Sequence, residues 1–171
     1  DQTEVLGSYT NQNNSDHNVL PVQPIGGEEL IVEYQVPLGA TDKGEIEIGD
    51  VNHDFLGIFR AAEPRDPEQS CHPNLVCYPE DIEAGSGVVA LIINGTTYCT
   101  GSLVNNTDED GTPYLLTATH CLNNDYDASF IANRRYDMVA GSIVAFFHYQ
   151  SPLCDTDIRG PLQMTTASAD S

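Results

Sequence analysis

The chain has 171 residues with 26 acidic and only six basic side chains, and its formal charge of -20 at pH 7 argues against binding to nucleic acid or to an anionic membrane surface. Apolar residues make up 40% of the chain, which is enough for a globular core in one domain or two small ones. The sequence contains no run that is long and apolar enough to span a bilayer, and it begins at Asp1 without a signal peptide. We therefore expect a piece of a longer precursor that has no membrane partner.

Two stretches near the N-terminus have the apolar patterning of β-strands. Glu29–Val36 has a polar and an apolar face, and Glu45–Ile48 alternates strictly, so we predict a half-exposed β-sheet here. The run Asp50–Asp54 that follows has the Asp-x-Asn-x-Asp spacing of a calcium loop. However, Phe55 stands where such a loop needs glycine and Ala61 where it needs glutamate, so we expect no metal.

A polar segment separates this part from the rest of the chain. Ala61–Ser70 contains two prolines and has no strand pattern, which is typical of a linker. Exposed segments of this kind are where proteases cut, and the basic residue Arg65 lies in its middle. The linker could equally remain uncut between two domains.

Short strands dominate the chain from Cys71 onward and predict an all-β barrel. Val88–Ile93 is apolar throughout, and the turn signal Asn94-Gly95 would pair it with a strand that starts near Tyr98. A later strand is predicted over Ser142–Tyr149.

The most informative stretch runs from Tyr98 to Leu122. Its two apolar runs are separated by a segment rich in Asn, Asp, Gly and Pro, which predicts a hairpin. Cys99 lies at the start of the first strand and Cys121 just beyond the second, so a disulfide between them would close the open end. His120 would then be held on stiff backbone, as a general base near neutral pH requires.

The segment Thr117-Ala118-Thr119-His120-Cys121 resembles the histidine motif of the trypsin-like serine proteases, and Cys99–Thr107 resembles the strand that precedes that motif. The longer stretch that contains both segments is most similar to the bacterial lysyl-endopeptidase-type branch of the family. This resemblance implies a fold of two β-barrels in which the first barrel, here residues 66–171, supplies the catalytic histidine, His120. Gly27–Tyr34 resembles the end of the pro-region in similar precursors, so residues 1–65 would be the C-terminal part of a β-rich pro-region.

The resemblance also implies how the five cysteines pair. Cys77 would pair with Cys154 and Cys99 with Cys121, whereas Cys71 would need a cysteine in the second half of the catalytic domain, which this chain lacks. We therefore expect an unpaired Cys71 and a truncated domain. Disulfides of this number favour a secreted protein, extracellular or periplasmic.

The resemblance further bears on processing of the precursor. Similar mature enzymes begin a few residues before the cysteine that matches Cys71, after a basic residue. We therefore hypothesise that the zymogen is cleaved between Arg65 and Asp66.

The family's chemistry also needs a serine nucleophile and an aspartate that orients the histidine. In the part of the chain from Cys71 onward three serines follow a glycine, Ser86, Ser102 and Ser142, but none has the setting of the family's nucleophile motif. Asp170 is a candidate for the aspartate, although a residue beyond the chain fits the family's spacing better. His148 has no acidic or serine partner at a suggestive spacing and is interpreted as structural.

These observations predict a secreted serine endopeptidase that acts through an acyl-enzyme, present here as an inactive N-terminal fragment. The substrate would be a protein or peptide, no cofactor is expected, and the missing C-terminal barrel would supply the rest of the site. Cleavage after Lys or Arg is implied by the resemblance alone. The alternative is a non-catalytic secreted module, either protease-like or an acidic binding domain, which the absent nucleophile and the charge favour.

Overall fold

A computed structural model of the protein describes residues 5–15, 17–54, 74–123, 135–154 and 163–166. Five strands form one antiparallel sheet in the order β3-β2-β1-β4-β5. Their bounds are β1 Val88–Ile93, β2 Thr97–Val104, β3 Tyr114–Thr117, β4 Val144–Phe147 and β5 Gln163–Thr166.

The helices of the described residues are short. They are α1 (Ile82–Gly85), α2 (Thr119–Leu122) and α3 (Arg135–Ala140), with 3-10 turns at Asn11–Asn13, Leu75–Cys77 and Pro79–Asp81. Among the described residues, none of these helices has the length and apolar character needed to cross a membrane.

The first three strands confirm the two predicted hairpins. β1 pairs with β2 from Val88 opposite Ser102 to Ile93 opposite Thr97, and β2 pairs in turn with β3. Asn94 and Gly95 both adopt positive φ, 51° and 67°, while the Thr96 N–H donates to the Ile93 carbonyl at 3.2 Å. Asparagine and glycine tolerate this left-handed conformation, so the dipeptide sets the reversal and with it the register.

Strand β4 is shorter than the sequence pattern predicts, because a turn precedes it and another follows it. The Ser142 and Ile143 N–H groups donate to the Val139 and Ala140 carbonyls, which continues the end of α3 as a turn. His148 has φ of 58° and ends the strand. Strand β5, paired with β4, was not predicted.

The core lies on both faces of the central strands. On one face a cluster joins Val89, Leu91 and Ile93 of β1 to residues of α2, α3 and β4. On the other face Ala90 packs with Val144 and Phe146. All six residues of β1 are apolar, as expected for a strand that is covered on both faces.

The predicted strands at Glu29–Val36 and Glu45–Ile48 are not formed, and the β-rich character predicted for residues 1–65 is wrong where the structure describes them. Within 5–15 and 17–54 the only regular element is the turn Asn11–Asn13, capped by the Thr10 side chain. A strand exists only when its backbone groups pair with a neighbour, and alternation of side chains does not supply one. Ile31 is accordingly 82% exposed.

The sheet does not close within the described residues. Its edge strands, β3 and β5, each pair with one neighbour, and no ladder joins them in the part of the chain that is described. The all-β class is thus confirmed, whereas closure into a barrel stays a prediction.

Gly101 of β2 allows the sheet to pack tightly on its neighbours. A Cβ atom at this position would lie 2.9 Å from Leu115 Cδ1 and 3.1 Å from Leu91 Cδ1, and Leu91 is fully buried. We expect Gly101→Ala to lower the free energy of unfolding by about 1–3 kcal/mol through overpacking. Urea denaturation measures this change. Gly87→Ala is the control, because its Cβ would meet Leu103 at 3.7 Å or more; equal midpoints for the two variants would contradict the packing argument.

The loop between β2 and β3 is organised around the Asp110 carboxylate. Its Oδ1 accepts hydrogen bonds from the Thr112 N–H at 2.9 Å and from Asn106 Nδ2 at 3.0 Å. The Thr112 backbone donor first, then the Thr112 side chain and Asn106, stabilise the charged form and lower the pKa of Asp110.

A pKa lowered in the folded state stabilises the fold above the ordinary aspartate pKa of about 3.9, and this stabilisation is lost as the pH falls below that value. We therefore expect the difference in unfolding free energy between the parent and Asp110→Ala to shrink between about pH 5 and pH 2. NMR titration should show that Asn106→Ala raises the Asp110 pKa. Thr107→Ala, whose side chain makes no hydrogen bond to Asp110, should leave it unchanged.

Candidate active site

His120 lies on α2, the single helical turn that follows β3. Ala118 is still extended, with φ of -83° and ψ of 145°, and its carbonyl accepts the Cys121 N–H at 3.0 Å. The Asn123 N–H then donates to the Thr119 carbonyl at 2.8 Å and ends the turn. The sequence analysis expected His120 at the end of a strand. The structure instead places it on a hydrogen-bonded turn.

A disulfide fastens this turn to the sheet. Cys121 on α2 is bonded to Cys99 on β2, with an S–S distance of 2.04 Å and a Cα–Cα distance of 6.1 Å. Cys121 is 7% exposed and belongs to the main core cluster, while Cys99 packs against that cluster. The backbone on the C-terminal side of His120 is therefore fixed covalently and by burial.

A second anchor lies just before the turn. The Thr117 hydroxyl donates to the Thr100 carbonyl at 2.9 Å, which couples the end of β3 to β2 through a side chain as well as the ladder. Asn123, immediately after the turn, is 5% exposed and is the one buried polar residue among the described residues. His120 is held on both sides by residues that cannot easily move.

The imidazole itself is exposed to solvent. Among the described residues it makes no hydrogen bond or ion pair, so no described carboxylate or hydroxyl orients it. One of its nitrogens lies within 4.8 Å of the Cys99 and Cys121 sulfurs. The arrangement offers a fixed proton acceptor that an incoming group can reach.

The same three residues are the only described group of His, Cys, Asp and Glu side chains close enough to share a metal ion. The two sulfurs are bonded to each other, and a disulfide sulfur is not the thiolate that a metal binds. The cluster therefore does not fit a metal. Within the described residues, the run Asp50–Asp54 does not form a group of three possible metal ligands.

Of the three serines considered as nucleophiles, two form hydrogen bonds elsewhere and the third lies on the other face of the sheet. The Ser86 hydroxyl donates to the Glu83 carbonyl at 2.6 Å. The Ser142 hydroxyl donates to the Val139 carbonyl at 2.6 Å and accepts the Asn94 N–H at 3.0 Å. Ser102 lies on β2 opposite Leu116, on the face of the sheet away from the buried Leu91. The structure brings none of the three to His120.

The second disulfide joins Cys77 to Cys154, with a Cα–Cα distance of 5.1 Å. It links the 3-10 turn before the sheet to the segment after β4, and neither cysteine belongs to α2 or to the strands β2 and β3. Both pairings are those named by the sequence analysis. His148 is exposed in the turn after β4.

Several predicted site residues lie outside the described residues. These are the proposed processing pair Arg65 and Asp66, the cysteine Cys71 and the candidate aspartate Asp170.

The sequence analysis did not predict helix α3, which packs against α2. Helix α3 contacts α2, and its Val139 is 4% exposed in the core beneath Cys121. The signal was present, since Tyr136, Val139 and Ala140 have the i, i+3, i+4 spacing of a helix face. The burial of Asn123 was not predicted from the sequence either.

Residues 66–170 match the family model described as lysyl endopeptidase, C-terminal domain. The match includes His120, both disulfides and all five strands. It agrees with the histidine motif and with the strand that precedes it. The chain therefore belongs to the lysyl endopeptidase C-terminal domain family, with a function related to that of serine proteases.

Proposed function

We propose that this chain carries the histidine half of a secreted serine endopeptidase and that His120 is its general base. The observation that carries the proposal is the exposed imidazole on a turn bonded to the sheet through Cys99–Cys121. Such a histidine has no structural task in the core, yet the backbone beside it is held by a disulfide and by hydrogen bonds. The family match supports the same assignment.

In the proposed reaction His120 accepts the proton of a serine hydroxyl as that oxygen attacks the peptide carbonyl. The protonated imidazole then gives the proton to the leaving amine, and an acyl-enzyme remains for water to hydrolyse. Proton transfer needs the acceptor nitrogen within hydrogen-bond reach of the hydroxyl, so the position of the α2 backbone matters more than any contact of the imidazole itself.

The serine nucleophile is proposed to come from a second barrel outside these 171 residues. The hydroxyls of Ser86 and Ser142 are bound to backbone carbonyls, and Ser102 faces away from the core beneath α2. By themselves, residues 1–171 are expected not to hydrolyse peptides. Residues 66–171 form the first barrel in this proposal, and residues 1–65 belong to a pro-region removed at Arg65–Asp66.

Cleavage after lysine is proposed from the family match alone. The charge of the chain is consistent with a basic substrate, because a formal charge of -20 attracts cationic peptides over a distance set by the Debye length. The two disulfides support an oxidising location outside the cytoplasm.

Removal of the imidazole tests the catalytic role. In the natural secreted protein that contains this chain, we expect His120→Ala to lower kcat on a lysyl amide substrate by about 10⁴-fold or more, since members of a triad act as a unit. His148→Asn is the matched control, because asparagine tolerates the positive φ of this exposed histidine. It should retain the parent rate.

A fluorophosphonate probe distinguishes the two functional hypotheses. If the parent protein is labelled at a serine and His120→Ala is not, the endopeptidase assignment stands. If the parent protein shows neither labelling nor amidase activity, the chain is a non-catalytic protease-like or acidic binding module. The second hypothesis is favoured by the absence, among the described residues, of a hydrogen-bond partner for His120.

The disulfide that fastens α2 provides a separate prediction. The double variant Cys99→Ala, Cys121→Ala removes a cross-link between residues 22 apart, and we expect a loss of about 3 kcal/mol of unfolding free energy. It should also lower kcat at unchanged KM, because the base is displaced while the binding pocket is not. The control is the double variant Cys77→Ala, Cys154→Ala, whose cysteines are 77 residues apart.

Loss of the control disulfide should cost stability of the same order, about 4–5 kcal/mol, without lowering kcat per folded molecule. Kinetics at matched concentrations of folded protein separate stability from positioning. Equal losses of kcat in the two double variants would contradict a positioning role for Cys99–Cys121.

A further inference from the structure

Two turns at one end of the sheet form a single surface. The Asn94 N–H donates to Ser142 Oγ at 3.0 Å, which joins the β1–β2 turn to the turn between α3 and β4. Gly95 and Gly141 lie beside these two residues. We call the four residues Asn94, Gly95, Gly141 and Ser142 the turn surface. The end of β3 and α2 point toward the same end of the sheet, since Thr117 is opposite Gly101 and Cys99 is bonded to Cys121.

Side chains from the N-terminal segment, residues 5–54, occupy the space beside both glycines. A Cβ atom at Gly141 would lie 3.2 Å from Ser15 Cβ and 3.5 Å from Ser15 Oγ. A Cβ atom at Gly95 would collide with Asn52 Nδ2 and lie 2.9 Å from Asn52 Cγ. The absence of a side chain at each glycine thus makes room for one residue of the N-terminal segment.

Part of the N-terminal segment is half-buried. Ser15 is half-buried, as are all residues of Leu20–Ile25 except Val22, and Asp54 close to Asn52 is half-buried too. Every residue from 26 to 39 is exposed. Within its described residues the segment has no strand and no buried residue, and the contacts of Ser15 and Asn52 join it to the folded part.

We propose that the turn surface is a docking site for the N-terminal segment of the same chain, and that the segment stays bound there without a covalent link after the chain is cut between residues 54 and 74. The interaction depends on the steric fit of side chains beside the two glycines. Electrostatic repulsion opposes it, because acidic side chains outnumber basic ones in both parts of the chain. Salt should therefore strengthen the docking by screening like charges.

The experiment uses the whole chain with a site for a sequence-specific protease in place of residues 63–69. All five cysteines lie at position 71 or beyond, so no disulfide can hold the released piece. After cleavage, gel filtration at about 10 µM reports whether the two pieces co-elute, and dilution of a labelled sample gives the dissociation constant. We expect co-elution, and tighter binding in 0.5 M than in about 0.05 M sodium chloride.

Four variants locate the contact. Gly141→Ala and Asn52→Ala should each weaken binding by about tenfold, because one fills the space of Ser15 and the other removes the side chain at Gly95. Gly87→Ala and Gln35→Ala are the controls and should bind like the parent. Gly87 has room for a Cβ, and Gln35 is hydrogen-bonded only to Glu33 of its own segment.

Separation of the two pieces on cleavage would overturn the proposal. So would co-elution in which all four variants bind alike, since the docking site would then lie elsewhere. Asn52→Ala keeps the test valid if Gly141→Ala unfolds the sheet, because Asn52 is outside the sheet. The readout is binding and not hydrolysis, so it is independent of the proposed endopeptidase function.

Discussion

The structure depends on the pairing of β1 on both edges and its burial on both faces. Leu91 at its centre is fully buried, and its neighbours Val89 and Ile93 are 1% exposed. The register between β1 and β2 fixes Cys99 opposite Leu91. Cys99 then fixes Cys121, and Cys121 fixes the turn that carries His120. A change in the central ladder would therefore move the candidate base, although β1 has no contact with substrate in the proposed mechanism.

His120 illustrates how an exposed side chain can be placed accurately. A single helical turn of four residues has no stability of its own, because nucleation of a helix is unfavourable. The turn is held by the disulfide, by burial of Cys121 and by the packing of α3 beneath it. These constraints act on the backbone and leave the imidazole free to meet a reacting group, which is the arrangement that general base catalysis requires.

The acidic character of the chain gives the two proposed interactions opposite relations to charge. A basic peptide would be attracted to the whole molecule, so salt should weaken its encounter with the site. The N-terminal segment is acidic, as is the rest of the chain, and its docking depends on the fit of side chains over glycines. Salt dependence would thus separate the two processes in a protein that carries out both.

Much of the site could be predicted from local sequence. The strand Val88–Ile93 has the predicted bounds, because an apolar run followed by a strong turn signal leaves little choice of conformation, whereas the strand that begins at Tyr114 ends at Thr117, before the predicted end near His120. The alternation of polar and apolar side chains at Glu29–Val36 did not lead to a strand. A strand needs a neighbouring strand to pair with, and only the folded chain decides whether one is present.

The sequence by itself determined the hairpins, the all-β class and the identity of the histidine with its flanking cysteines, because turn chemistry and side-chain alternation act between near neighbours. Tertiary structure decided that His120 lies on a helical turn, that α3 supports it, and that Ser15 and Asn52 lie over Gly141 and Gly95. These outcomes depend on which distant surfaces fill the same space, and close packing selects among them only once the chain has folded.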